Sequence, residues 1–175
     1  MIRLHRNGPH THLEAEMCAR CPQGSTGCCA APPVVAWADL GRIVLLGGRD
    51  WLLEELAAGR LYPCPRGLAL QRVENPDVAV TGRAKKCIYH GAMGCTVPAN
   101  RRSATCNYYV CDEAWAEAGE SRDLRAARTT QERLTATYAE WDLVLGARVR
   151  ARAPTGPTWD APFLDWLGEQ LQGLC

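Results

Sequence analysis

The sequence predicts a small single domain of the α+β class, in which cysteine-rich loops and short strands pack against several helices, including a long helix towards the C-terminus. Three observations support this prediction. The length of 175 residues suits one domain with its own hydrophobic core. Apolar residues recur at helical spacing in the C-terminal third, whereas short apolar runs between turn residues lie in the middle. Eight of the ten cysteines fall into two groups in loop-like sequence.

Three parts of this domain differ in character. Residues 1–17 are polar, contain His5, His10 and His12, and predict a flexible N-terminal arm. Residues 18–111 contain both cysteine groups, and residues 112–175 predict a helical C-terminal part of the same domain. No internal repeat is present, because the two cysteine groups differ in spacing and in neighbours.

Two short helices are predicted after the first cysteine group. The run from Trp37 to Leu46 has helical composition and is followed by Gly47 and Gly48, which favour a helix end. A second helix fits residues 50–58, with Asp50 as its N-cap and Gly59 as its stop. Together the two helices can form an apolar cover over the cysteine loops.

Short strands are predicted in the middle of the chain. Residues 68–73 and 78–80 are apolar runs on either side of turn-forming residues. The segment between Cys87 and Cys95 contains Gly91 and Gly94, and it predicts a hairpin or tight loop that brings both thiols to one point.

The longest helix is predicted to begin near Ser121. Its apolar face repeats at steps of three and four residues, which indicates a helix packed on the core: Leu134, Tyr138, Trp141, Leu145 and Val149. A last helix is predicted to begin after Asp160 as N-cap, with Pro162 in its first turn.

The two cysteine groups carry the strongest chemical signal. The first contains Cys18, Cys21, Cys28 and Cys29, and the second contains Cys87, Cys95, Cys106 and Cys111. A CxxC spacing places two thiolates around a tight turn, an arrangement that zinc and iron–sulfur sites both use. Disulfides and a thioredoxin-like dithiol are the less favoured alternatives, because adjacent cysteines bridge only with strain and a polar segment precedes the CxxC.

Charge and hydropathy limit the partners. The chain carries 20 basic and 19 acidic residues, so no global field draws it to nucleic acid, and only Arg148, Arg150 and Arg152 form a basic patch. No stretch has the apolar length of a membrane span or of a secretory signal. We therefore expect a cytoplasmic protein with no membrane partner, in a compartment that keeps thiols reduced. A protein or peptide partner stays open.

The cysteine pattern resembles the YkgJ-type cysteine cluster family, also described as the CxxCxxCC or zinc- or iron-chelating domain. In that family a CxxC and an adjacent cysteine pair are followed by further cysteines, an arginine and a tyrosine. The matching positions after the adjacent pair Cys28–Cys29 are Cys87, Cys95, Arg101, Cys106 and either Tyr108 or Tyr109, with Cys111 as an additional cysteine. The resemblance covers about residues 18–111 and implies metal binding without implying a reaction.

The leading hypothesis is a metal-binding protein in which all eight grouped cysteines hold iron, an iron–sulfur cluster or zinc. Zinc ribbons usually contain two CxxC motifs, whereas this chain has one CxxC motif and wide spacings between its later cysteines. This difference favours iron over zinc. Arg101 would offset thiolate charge or anchor an anionic ligand. Whether Cys64 or His90 is a metal ligand stays open, whereas Cys175 is not expected to be a ligand.

Two other functions are weighed. One is an iron-dependent enzyme that modifies a peptide or protein side chain, with Tyr89, His90, Tyr108 and Tyr109 near an open metal position. No GxSxG, HExxH, phosphate-binding loop or dinucleotide motif supports it. The other is a zinc-structured interaction module. Since residues 18–33 and 81–111 have little apolar pattern of their own, we predict that both stretches become ordered only with metal bound.

Overall fold

The computed structural model of the chain describes residues 1–8, 10–20, 28–74, 85–91 and 93–175. Within these residues the α+β class is confirmed, because helices and small antiparallel sheets occur together. The helices are α1 (Trp37–Leu45), α2 (Arg49–Ala57), α3 (Ala104–Tyr108), α4 (Asp112–Ala118), α5 (Arg122–Arg152) and α6 (Ala161–Gln172). The strands are β1 (Ile2–His5), β2 (His12–Ala15), β3 (Val35–Ala36), β4 (Leu61–Cys64), β5 (Gly67–Leu70), β6 (Arg72–Glu74), β7 (Lys85–Cys87), β8 (His90–Gly91) and β9 (Gly94–Cys95).

Helices α1 and α6 pack closely in the centre of the core. A Cβ atom placed on Gly41 of α1 would lie 2.8 Å from the Cβ atom of Leu171, so the glycine permits the close approach. Gly168 of α6 likewise permits a close approach of the two helices, opposite Val44. The surrounding side chains are fully or almost fully buried: Leu40, Ile43, Leu145, Leu164 and Leu167.

The long helix α5 begins where the sequence predicts. The hydroxyl of Ser121 accepts a hydrogen bond from the Leu124 amide, which caps the first turn. Leu134, Tyr138, Leu145 and Val149 of the predicted apolar face are buried in the core. In the same way, the Asp160 carboxylate accepts from the Phe163 amide and begins α6, so both predicted caps are confirmed.

In the described part of the chain, the strands form four small antiparallel sheets. In the three-stranded sheet β5 lies between β3 and β4, and its register sets Leu68 opposite Val35 and Pro63. Strand β6 pairs with β7, and β8 pairs with β9. Residues 68–73, predicted as one strand, therefore contribute to two different sheets, with the chain leaving β5 at Gln71. The strand predicted at 78–80 lies outside the described residues.

The N-terminal segment corrects a prediction. Residues 1–17, expected to form a flexible arm, contain the antiparallel hairpin of β1 and β2, with His5 opposite His12. Alternation along β2 buries Leu13 and Ala15 in the core while Glu14 faces solvent. The polar composition of the segment therefore reflects one exposed face of a packed hairpin.

The start of α2 also differs from the prediction. Its N-cap is Gly48, and Asp50 stands in the first turn, where its Oδ1 accepts from Arg49 Nε at 2.9 Å. The helix therefore begins one residue before Asp50, whose carboxylate pairs with Arg49. Gly59 follows the helix with a φ of 68°, as the sequence predicts for a helix stop.

A buried carboxylate joins the helical core to the cysteine-bearing half. Asp39 of α1 accepts from the Ala36 amide at 3.1 Å and from the Ala104 amide at 2.5 Å, so it fixes the first residue of α3. The guanidinium of Arg42 lies 3.8 Å away and donates to the carbonyl of Arg102. Both side chains are almost fully buried. This junction places α3, and with it Cys106, against the core.

Candidate metal centre

The described members of the first predicted cysteine group lie in 3₁₀ turns. Cys18 belongs to the turn Glu16–Arg20, which directly follows β2 and contacts β9, the strand that carries Cys95. Cys28 and Cys29 belong to the turn Cys28–Ala30, which contacts β7 and so approaches Cys87. Cys21 lies outside the described residues. The turn of Cys18 and the turn of Cys28 and Cys29 therefore contact different strands of the second group.

The adjacent thiols of Cys28 and Cys29 interact with each other. The hydrogen bond between them lowers the pKa of Cys28 to about 6 and raises that of Cys29. Burial raises the pKa of Cys29 further, and the neighbouring Cys28, Cys87 and Cys106 add to the effect. Cys28 is thus the thiol of the pair that ionises first. Cys87 and Cys106 are therefore close enough to Cys29 for their charges to act on it.

Cys87 and Cys95 lie on the strands of the second group. Cys87 ends β7 and is buried, whereas Cys95 ends β9 and is exposed. Burial raises the pKa of Cys87, and Cys95 and Cys28 contribute in the same direction. The predicted hairpin between these cysteines is confirmed, since β8 and β9 pair with His90 opposite Cys95. Arg102 Nη2 donates to the Cys95 carbonyl at 3.3 Å and holds the end of the hairpin.

Helix α3 supplies Cys106. Its N-cap, Ser103, accepts a hydrogen bond from the Cys106 amide at 3.2 Å, which fixes the first turn that carries the thiol. The residue has exposed surface, yet the protein around its sulfur desolvates the thiol and raises its pKa to about 12. The charges of Cys95, Asp39 and Cys87 act in the same direction. Three thiols from separate segments therefore influence one another.

The structure brings most of the predicted ligands into one neighbourhood. We call Cys28, Cys29, Cys87, Cys95 and Cys106 the thiol cluster, because mutual electrostatic effects link these five residues. Cys18 adjoins the cluster through the contact of its turn with β9. Cys111 is the N-cap of α4, and both Cys111 and Cys28 raise the pKa of Tyr109 after burial, the larger cause. Cys64 pairs with Gly67 in the sheet of β4 and β5, and Cys175 ends the chain after α6.

The cysteines that the structure describes are thiols rather than disulfides. Among the residues described, no three histidine, cysteine or acidic side chains already stand in the arrangement of a metal-ligand group. The thiol cluster is therefore a gathering of soft donors from separate segments, with Cys21 of the CxxC outside the described part of the chain.

Arg101 occupies a different position from the one its predicted role requires. Its Nη1 and Nη2 atoms donate to the carbonyls of Leu46 and Gly47, both at 2.9 Å, and so they satisfy the C-terminal end of α1. Sequence reasoning missed Lys86 on β7, a cation whose charge adds to the lowering of the Cys28 pKa. Lys86 is 3% exposed. Its position directly before Cys87 is the sequence signal that could have identified it.

The aromatic and histidine candidates are divided between the core and the cluster. The Tyr89 hydroxyl donates to the Glu55 carboxylate, which also accepts from Arg60 Nε at 2.6 Å. Tyr108 is buried against Tyr138 of α5. Burial lowers the pKa of His90, and the Lys86 charge lowers it further. Tyr89 thus ties the cysteine-bearing loop to α2.

These features define an α+β domain with a thiol cluster gathered from a 3₁₀ turn, two strands and a short helix. No family model matches the chain, and no curated protein or solved structure matches it. Of the helices in the described residues, none has both the length and the apolar character required to cross a bilayer.

Proposed function

We propose that this protein is a metal-binding cysteine cluster protein that holds iron, an iron–sulfur cluster or zinc. The observation that carries the proposal is the convergence of sequence-distant thiols: the turn with Cys28 and Cys29 contacts the strand that ends at Cys87, and Cys106 approaches from α3. Thiolates are the ligands that both iron–sulfur clusters and zinc prefer. The resemblance to the YkgJ-type cysteine cluster family supports the same function.

The donor set fits such a metal in its chemistry. Five thiols are close enough for their charges to act on one another in pairs, and a tetrahedral sulfur site requires four thiolates. Cys18 and Cys111 would supply further ligands at its edge, and Cys21 is a further candidate from its place in the CxxC motif. When bound, the metal would supply the positive charge that offsets several thiolates held close together. The reducing cytoplasm would keep these thiols available, and a cytoplasmic location is part of the proposal.

The protein part of the site consists of two supports with different origins. The hairpin of β8 and β9 positions Cys95, with Arg102 bonded to its end. The Asp39 carboxylate fixes the first residue of α3, and thereby Cys106. Because the Asp39 support belongs to the buried core, we expect the helices to keep their packing while the metal orders the cysteine turns.

The test combines metal analysis with matched cysteine variants. Protein purified anaerobically is analysed for iron and zinc and by absorption spectroscopy, since thiolate-to-iron charge transfer colours an iron site and zinc leaves it colourless. We expect metal in stoichiometric amount, and at least about a tenfold loss of metal affinity in Cys87→Ser and in Cys106→Ser.

The controls are Cys64→Ser and Cys175→Ser, which remove thiols outside the cluster and should retain the metal. Wild-type protein that binds neither iron nor zinc would overturn the proposal. Equal metal loss in cluster and control variants would also contradict it, because the cluster would then have no special part in binding.

A further inference from the structure

A buried carboxylate of α2 contacts the segment that carries the second cysteine group. Glu55 is 6% exposed, and its carboxylate accepts two hydrogen bonds from Arg60: Nε donates to Oε2 at 2.6 Å and Nη2 to Oε1 at 2.8 Å. The Oε2 atom also accepts from the Tyr89 hydroxyl. Because a two-point contact with a guanidinium fixes the plane of a carboxylate, the hydroxyl has an acceptor of defined position. We call Glu55, Arg60 and Tyr89 the tyrosine clamp.

The clamp reaches the backbone next to both Cys87 and Cys95. Tyr89 follows Cys87, the last residue of β7, by two positions. Its carbonyl accepts from the Thr96 amide at 2.9 Å and from the Thr96 hydroxyl at 3.0 Å, and Thr96 directly follows Cys95. One residue is therefore bonded to α2 through its side chain and to the end of the hairpin through its backbone.

Other contacts of this segment do not involve the Tyr89 hydroxyl. The Gln71 amide donates to the Arg60 carbonyl and the Ile88 amide to the Gln71 carbonyl, both at 2.9 Å. The Tyr89 ring lies beside Trp51 of α2, with 6.4 Å between the ring centroids. Tyr89→Phe keeps the ring and these backbone bonds, so it removes only the hydroxyl contact.

We propose that Tyr89, held by Glu55, is a positioning residue for the metal site and that it places Cys87 and Cys95 before a metal binds. This inference rests on the proposed function. Binding to ligands that are already placed requires less ordering of the chain, and the affinity falls in proportion when fewer molecules hold that placement. The proposal narrows the expectation that residues 81–111 become ordered only with metal, because the part bonded to the clamp would be ordered without it.

The effect on metal affinity separates this role from that of an ordinary stabilising hydrogen bond. A bond that persists in the metal-free and the metal-loaded protein stabilises both forms equally, so its removal leaves the affinity unchanged. Without a positioning bond, the metal-free segment gains conformational freedom that binding must remove again. Removal of a positioning bond therefore weakens metal affinity.

The first test measures zinc affinity by competition with a chromophoric chelator, on the reduced, metal-free full chain under anaerobic conditions. We expect about a tenfold weaker affinity in Tyr89→Phe, the lower end of what residues that orient metal ligands contribute. Glu55→Ala removes the acceptor and should weaken binding to a similar extent, and the double variant no further, because both residues act in one contact. Tyr62→Phe is the matched control, because it removes the hydroxyl of an exposed tyrosine on β4, and it should bind like wild type.

The second test measures amide hydrogen exchange of the metal-free proteins by NMR spectroscopy. The Ile88 and Thr96 amides donate to backbone carbonyls and should be protected in the wild type. In Tyr89→Phe their exchange should become at least about tenfold faster, whereas the amides of α5 should exchange as in the wild type. Because exchange requires no metal, this measurement tests the placement of the segment independently of the proposed function.

Three results would overturn the inference. They are a zinc affinity of Tyr89→Phe equal to that of the wild type, an equal loss of affinity in Tyr62→Phe, and amide exchange at Ile88 and Thr96 that Tyr89→Phe does not change. In each case, zinc binding by the wild type leaves the proposed function standing. Wild-type protein that binds neither zinc nor iron would instead overturn the proposed function, and the inference about the metal site with it.

Discussion

The buried junction around Asp39 makes the sharpest stability prediction. Replacing Asp39 by Ala removes the acceptor of the Ala36 and Ala104 amides and leaves the Arg42 guanidinium without its carboxylate. Breaking a buried ion pair by removing one partner costs about 3–5 kcal/mol. Each amide left without an acceptor costs about 1–3 kcal/mol, but these terms overlap with the first because all three belong to one network.

We therefore expect Asp39→Ala to lose about 3–5 kcal/mol of unfolding free energy, a large part of the roughly 5–15 kcal/mol that holds a domain together. The assay is urea denaturation at pH 7.5, followed by circular dichroism, with reductant and chelator present so that metal binding does not contribute. Asp123→Ala removes an exposed carboxylate in the first turn of α5 and should cost at most about 1 kcal/mol. Equal stabilities of the two variants would refute the assignment of Asp39 as the junction between α1 and α3.

Three further predictions concern pH and packing. Burial raises the pKa of Asp39 to about 6, so the folded state holds this proton more tightly than the unfolded chain, whose carboxyl titrates near its usual value of about 3.9. The resulting stabilisation is present below about pH 4 and is lost as the pH rises through about 6. In urea titrations, the unfolding free energy of the wild type relative to Asp39→Ala should fall by about 3 kcal/mol across this window. A difference between the two proteins that stays constant with pH would contradict the prediction. Leu145 is fully buried in the core, so Leu145→Ala should cost about 3–5 kcal/mol by the same assay, whereas the exposed Leu143→Ala should cost less than about 0.5 kcal/mol. Gly41→Ala would place a Cβ atom 2.8 Å from the Cβ atom of Leu171. Thermal unfolding should show a loss of about 1–3 kcal/mol of stability, despite the better helix propensity of alanine. A stabilised variant would show that α1 and α6 can move apart without cost.

Local signals determined much of the secondary structure. Ser121 and Asp160 indicate the starts of α5 and α6, because side-chain capping depends on residues within one turn. The step of three and four between Leu134 and Val149 likewise predicts the buried face of α5, because helical geometry alone sets it. The sequence was also sufficient to predict the hairpin before Cys95, where two glycines surround the turn.

Other features depended on contacts between distant segments. The polar N-terminal residues form a packed hairpin because Leu13 and Ala15 are buried in a core that distant segments supply. The local sequence does not reveal this packing. Arg101 was expected beside the thiols, but its guanidinium bonds to the end of α1, since unpaired helix carbonyls compete for it. Asp50 was expected to cap α2, but its carboxylate accepts a hydrogen bond from the neighbouring Arg49 side chain.

For the candidate site, residue types and spacing were enough to predict which chemistry is available: eight grouped cysteines and the soft thiolate ligands that they provide. Contacts between distant segments set which of them approach one another, with the turn of Cys28 and Cys29 against the strand of Cys87, and Cys106 on α3 near enough for its charge to act on Cys29. The same contacts place the Arg101 guanidinium on the carbonyls that end α1. The physical reason is that residue type and short spacing are properties of the chain, whereas charge neighbourhood depends on how separate elements pack.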